Sequence, residues 1–442
     1  MRKQRLLTGI AGILMAFLFT GCNTSSVEEW VDEVVEDING QIPDNTLLPV
    51  ESVSEEKYVY GQLTEEEQLV YDEMLDAILN HREEVTVATL DKDVLAKMYE
   101  AIMADYGGLF WVDGYSYTEY SRAGVLTGLK FAPKYTMDEA ARQETQAAID
   151  EKVDVLLGGI SSEDSDYQKA RFIFDTLVRT VNYDLNAENN QNIISVFLEG
   201  RTVCQGYACA TKYLMDLLGI PCTIVTGTAN GEPHAWNLIE LDGAYYYMDT
   251  TWGNPTSNSP DDFGDVAEVV DYCFFTATTE ELFQTHCPNV NFSLPECNCL
   301  DDSYFVQENC YFKDWYPEDI GALFTELDSH PVQMKFEDEA VYGQAQQFFI
   351  EEGHIGDYYT GDSSLFYMKN ETMRVLTFLK KYGKKYEVID AKELGIDAID
   401  ESVNEYFCPM VFYAMSVAYR TGLQDKRRHP LDMRRYMGVV EY

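Results

Sequence analysis

Positive charge is scarce in this chain. Its 442 residues hold 32 Lys and Arg against 76 Asp and Glu, a formal net charge of −44. Phosphate backbones are bound by clustered cations, so nucleic acid is excluded as a partner. Such a balance suits a soluble, self-repelling surface protein instead. Long apolar runs are scarce as well. The run from Leu6 to Phe19 is too short for a comfortable membrane span, and no other run approaches spanning length. The 9-1-10 spacing of Cys287, Cys297, Cys299 and Cys310 follows no standard zinc pattern, and no acidic loop has calcium-ligand spacing. Neither a cofactor nor a metal is therefore expected.

What is present begins with a targeting segment. Arg2, Lys3 and Arg5 precede the Leu6–Phe19 run, and Thr20-Gly21-Cys22 follows it. A charged start, a short apolar core and small residues before a cut make a secretory signal. The junction resembles a bacterial lipobox, so Cys22 is expected to carry a lipid on the outer face of the cytoplasmic membrane. The boundaries then read as signal 1–22, acidic tether 23–57, mainly helical region 58–160, core 161–300 and a small α+β domain 301–442. A hydrophobic content of 46% allows two or three packed domains. In 58–160, Thr64-Glu65-Glu66-Glu67 reads as an N-capped helix start. Phe110, Trp111, Tyr115, Tyr117 and Tyr120 form an aromatic cluster, either core or the lining of a groove. A helix is expected from Asp164, with Tyr167, Phe174, Leu177 and Val181 on one face. In 301–442, Tyr304–Val306 and Val332–Phe336 read as strands and Ala340–Phe349 as helix. Lys426, Arg427, Arg428, Arg434 and Arg435 are a basic cluster that pairs internally or meets anionic wall polymers.

The core carries the chemistry. Gly200-Arg201-Thr202 reads as a turn, after which Tyr207, Ala210, Leu214 and Leu217 recur at helical spacing until Gly219 and Pro221. Cys204 is thus placed at the first turn of a helix, where partial positive charge and unpaired N–H groups favour a thiolate. Downstream, Ile220–Thr226, His234–Leu241 and Ala244–Trp252 read as strands, joined by Asn230-Gly231 and Asp242-Gly243. The two-residue Asp-Gly loop fixes the register and sets Leu241 opposite Ala244. Trp236 then faces Asp249, and His234, two residues away, lies on the same face. Diagonal neighbours of this kind stand about 7–8 Å apart, close enough for His234 and Asp249 side chains to meet. A cysteine, a histidine and an aspartate in that order suit nucleophilic thiol catalysis, with a base beside the thiol and a third group orienting the base. Trp236 and Trp252 flank the pair as expected substrate-binding and water-excluding residues.

These runs, Val203-Cys204-Gln205-Gly206-Tyr207-Ala208, His234-Ala235-Trp236-Asn237 and Tyr246-Tyr247-Met248-Asp249-Thr250-Thr251-Trp252, resemble the transglutaminase-like superfamily over roughly residues 161–272. The resemblance implies an α+β, papain-like core: a helix carrying the cysteine, packed on an antiparallel sheet carrying the histidine and aspartate. It implies Cys204 as nucleophile, His234 as base and acid, and Asp249 as its orienter. The expected activity is a cysteine protease, amidase or transglutaminase acting on a protein or peptide substrate. Its oxyanion donors would be the Cys204 N–H and one of Gln191, Asn182 or Tyr183. The rival is a non-enzymatic adhesion or scaffold module that retains the fold. Cys287, Cys297, Cys299 and Cys310, with His286 adjacent, are left as zinc ligands, disulfides or free thiols.

Overall fold

The computed structural model describes residues 57–253, 270–289, 291–327, 330–358, 365–380 and 437–440. Cys22 with its leader, nearly all of the 23–57 tether and the basic cluster at Lys426–Arg435 lie outside the described residues.

The first helix, α1 (Glu65–Leu79), starts where expected. Thr64 caps it, with Thr64 and Glu67 each meeting the other's backbone N–H. Helix α2 (Lys92–Asp105) follows, capped by Asp91. The sequence between α2 and α3 (Glu139–Leu157) departs from the mainly helical expectation. It forms two 11-residue antiparallel strands, β2 (Val112–Arg122) and β3 (Val125–Tyr135), with β1 (Val85–Val87) on the far edge of β3. Their turn is Ala123-Gly124, both at positive φ (51° and 81°). Alanine is not a usual residue at that position, so the turn signal is weak. The aromatic cluster divides along the hairpin. Phe110 and Trp111 are buried, whereas Tyr117 and Tyr120 are exposed.

Helix α4 (Asp166–Thr180) is capped by Ser165 and Gln168, and Tyr167, Phe174, Leu177 and Val181 are all buried. The Phe174 ring lies 5.2 Å from Phe275 and 6.1 Å from Tyr272, and so ties the helix to the segment after residue 270. A short parallel pair, β4 (Asn182–Tyr183) and β5 (Arg201–Thr202), leads into α5 (Cys204–Leu217). Tyr207, Ala210 and Leu214 of α5 are buried, while Leu217 in its last turn is exposed. Gly219 then stops the helix at φ +72°.

The core sheet has the order β8-β7-β6-β9, all antiparallel. Its strands are β6 (Cys222–Ala229), β7 (Glu232–Leu241), β8 (Ala244–Met248) and β9 (His286–Pro288). Both expected two-residue turns form, with positive φ at Asn230, Gly231, Asp242 and Gly243. Leu241 pairs with Ala244 and Asn237 with Met248, the register that the Asp-Gly loop imposes. Helix α5 packs on this sheet. Asn237 Nδ2 donates to the Ala208 carbonyl at 3.0 Å across the junction. The architecture is α+β, with the helix that carries Cys204 packed on the antiparallel sheet that carries His234.

A second apolar cluster, including Phe324, Met334, Phe336, Phe349 and Phe378, packs with a five-stranded sheet that contains the expected strand Val332–Phe336. Helix Glu339–Gln346 is also where expected, and it continues as a wider turn through Glu351. Tyr304–Val306 is not a strand but lies in a short helix, Tyr304–Gln307. There Tyr304 stacks on Tyr272 at 3.6 Å and Phe305 is buried, so tertiary packing overrides β propensity.

Because Phe174 is fully buried, Phe174→Ala should cost about 3–5 kcal/mol of stability. Urea unfolding followed by circular dichroism measures it, and a loss below about 1 kcal/mol would contradict the packing described.

Candidate active site

Cys204 is the first residue of α5 and is partly exposed. The loop before it is fastened to the helix entry. Thr202 Oγ1 donates to the Asn190 carbonyl at 2.9 Å and accepts from Ser195 Oγ at 2.8 Å. Gly206 makes this approach possible, because a Cβ there would stand 1.9 Å from Thr202 Oγ1.

His234 sits opposite Gly227 in the β6–β7 pairing. Beyond Met248 the chain leaves the sheet, and the Asp249 N–H donates to the Phe274 carbonyl at 2.8 Å. The Asp249 carboxylate is buried. Its Oδ2 lies 2.8 Å from His234 Nε2, while Oδ1 accepts the N–H groups of Thr251 (2.9 Å) and Trp252 (3.2 Å). A carboxylate only accepts, so His234 carries its proton on Nε2. Cys204 adjoins His234 closely enough to act on the charge of its ring. The three residues singled out in the sequence are thus brought together. Burial pushes the imidazole toward neutrality, but Asp249 and then Cys204 override it and raise its pKa to about 10. Burial likewise works against the Asp249 charge, yet His234 and His286 hold its carboxyl well below the usual carboxylate range.

His286 is the residue sequence reasoning missed. Its Nε2 stands 3.1 Å from the same Asp249 Oδ2, its Nδ1 lies 2.8 Å from Thr285 Oγ1, and its side chain is fully buried. No local pattern announces it. It follows Asp249 by 37 residues and arrives through β9, whose residue His286 pairs with Ala229. Between the two histidine strands runs β6, where Gly227 leaves room. A Cβ on Gly227 would meet the Cys287 carbonyl at 2.2 Å and the Trp236 ring at 2.9 Å. The ligand atoms of His234, Asp249 and His286 lie within 4.8 Å of one another. Each is already committed to a hydrogen bond inside the trio, so the cluster reads as a hydrogen-bonded relay. Cys287, Cys297, Cys299 and Cys310 are free thiols, and His286 turns to Asp249 rather than to them.

Trp236 and Trp252 both face the histidines, with ring centroids 6.0 Å from His234. Trp236 is 1% exposed and so has no surface to offer a substrate, which corrects the expected binding role. Its packing against His286, at 5.0 Å, makes it part of the wall that keeps water from the relay. Trp252 is 8% exposed and packs 4.8 Å from His286. Of the oxyanion candidates, Tyr183 pairs with Thr202, two residues before the thiol. Burial and the neighbouring Cys204 push its phenol up to about 12. Asn182 is exposed and pairs with Arg201. Gln191 lines a cavity of about 570 Å³ beside α5. Asn190, Asn192, Gln205, Asn289 and Asn291 line it too, and no cationic side chain does among the described residues.

Residues 155–250 match the family model of the transglutaminase-like superfamily. Over that stretch, and not over the whole chain, the protein is similar to that superfamily. Kyphoscoliosis peptidase of Mus musculus is 26% identical over 136 residues, 27% of this chain and 20% of the peptidase. A fructosamine deglycase of Bacillus subtilis is 49% identical over 69 residues, 16% of this chain and 21% of the deglycase. The chain thus spans about a fifth of the length of these curated relatives. Among solved structures, a TGase aligns at 14% identity over 35% of this chain and 47% of its own, with a TM-score of 0.24. The periplasmic domain of TgpA from Pseudomonas aeruginosa aligns at 14% identity over 30% and 58%, with a TM-score of 0.20.

Gly206→Ala should disturb the site without touching a reacting group. Forcing a methyl against Thr202 costs about 1–3 kcal/mol, and Cys204 should react more slowly with iodoacetamide. Wild-type stability and labelling rate together would show that the close approach is unimportant.

Proposed function

We propose that this protein is a cell-surface thiol enzyme that cleaves or transfers protein and peptide amides through an acyl-enzyme on Cys204. The observation that carries the reading is the placement of Cys204, at a helix N-terminus, beside a histidine that is hydrogen-bonded to the buried Asp249. Proton transfer from the thiol to His234 gives a thiolate and an imidazolium. The thiolate adds to the amide carbonyl carbon, and the oxyanion that forms meets the Cys204 N–H with the Tyr183 hydroxyl nearby. The C–N bond then breaks, His234 gives its proton to the leaving amine, and a thioester remains. Water resolves the thioester as a hydrolase would, and a lysine amine resolves it as a transglutaminase would. The cavity that reaches the Cys204 helix through Gln205 and Cys209 does not include Cys204 itself, but its carboxamides, beside the carboxylates of Glu100 and Asp113, complement the N–H and C=O groups of a peptide and so support one as substrate.

Incubating the protein with a glutamine-donor peptide and a labelled amine separates the two fates, by released ammonia without label or by label incorporated. Either product should vanish in Cys204→Ala, and Asp249→Asn should lose about 10⁴-fold in rate. Because His234 must hold a proton to release the amine, turnover should persist to about pH 9 and fall as His234 titrates around pH 10. Equal turnover in Cys204→Ala would move the chemistry elsewhere, and no turnover with any amide would leave the scaffold reading.

The surface location rests on the sequence around Cys22. Metabolic labelling with a fatty-acid analogue should mark the wild type and not Cys22→Ser. Equal label on both would remove the anchor and with it the case for an extracellular substrate.

A further inference from the structure

We propose that His286 is a positioning residue that shares the Asp249 carboxylate with His234 and thereby limits how tightly His234 holds its proton. This rests on the reading of Cys204 and His234 as the reacting pair. Both histidines reach one oxygen, Oδ2, at 2.8 and 3.1 Å, and each donates to it. The other oxygen is filled by the backbone N–H groups of Thr251 and Trp252. Four donors therefore divide the charge of one buried anion.

The division of labour follows from where each donor is attached. The two backbone donors fix the plane of the carboxylate, so its orientation does not depend on His286. What His286 adds is a second claim on Oδ2. A donor that stabilises the anion makes it a weaker acceptor for its neighbour, here His234. A general acid held too tightly is slow to release its proton to a leaving amine, so sharing favours turnover.

The surroundings make a packing role an insufficient account of this histidine. Trp236, Trp252 and Phe274 ring it at 5.0, 4.8 and 6.3 Å, and its side chain is fully buried. An apolar side chain would fill that space without the desolvation that an imidazole suffers. The titratable groups around the trio are Cys204 beside His234, Tyr183 and Tyr207, which both sense the Asp249 charge, and Cys287 next along β9. None of these places a second N–H on Oδ2.

The test follows the His234 ring by ¹⁵N NMR titration in a Cys204→Ala background, which removes the thiol and any dependence on turnover. Adding His286→Leu should raise the His234 titration midpoint by about half a pH unit or more, as loss of a competing donor requires. His286→Gln keeps an N–H near the position of Nε2 and should leave the midpoint within about 0.3 unit of the parent. If the Leu variant does not fold, His286→Asn, whose side chain is too short to reach Oδ2, should give the same upward shift. An unchanged midpoint, or one that falls toward the ordinary histidine value near 6.5, would overturn the proposal. The underlying reading fails by a different measurement. If wild-type Cys204 reacts with iodoacetamide at pH 6 no faster than the other thiols, the reacting pair is misassigned, whatever the titration shows.

Discussion

The Asp249 carboxylate is the constraint on which the site depends. A bare anion in the interior is costly, and this one is tolerable because every lone-pair direction in use meets an N–H. Those donors come from β7, from β9 and from the backbone that leaves β8. Satisfying one buried charge therefore draws three separate pieces of chain to a single point. The segment after Asp249 cannot drift from the sheet without leaving the anion short of a donor. The fold and the reactivity are in this sense the same requirement. Ionising Asp249 stabilises the charged imidazole beside Cys204, and the charged imidazole stabilises Asp249 in return.

Much of this was legible because local chemistry specifies it. Asp242-Gly243 and Asn230-Gly231 are the residues that a two-residue hairpin turn demands, and the register they impose holds as far as Asn237 and Met248; Asp249, expected to face Trp236 in the strand, instead leaves the sheet and reaches His234 from the segment beyond it. The helix start at Thr64 follows from capping and the stop at Gly219 from the left-handed backbone after a helix, whereas the start at Cys204, where Val203 offers no side-chain cap, follows from the apolar spacing alone. Where the signal lay in distant partners, it was silent or misleading. Ala123-Gly124 makes the same kind of turn with a residue that seldom announces it. Tyr304 looks like a strand residue until Tyr272 stacks on it. Trp236, placed on the correct face, proved too deep to meet a substrate, since alternation gives a side chain's direction but not its depth.

His286 marks the limit most clearly. A lone histidine beside a cysteine invites a metal or redox reading. Its actual partner lies three dozen residues upstream and is reached by a three-residue strand, β9, which pairs with the far side of β6. Only the tertiary pairing of β6 with β9 makes it a member of the site. Resemblance to a superfamily has the same horizon. Shared motifs point to Cys204, His234 and Asp249, but not to the neighbours that the fold packs against them.

Gly227 carries this further. It stands between the strands of the two histidines and contributes no side chain, yet its bareness lets a carbonyl, a proline and a tryptophan ring close over the site. A descendant of this chain could keep every reacting letter intact and still fall silent through one methyl group at this position. Looking only at Cys204, His234 and Asp249 would then miss a position on which their placement depends.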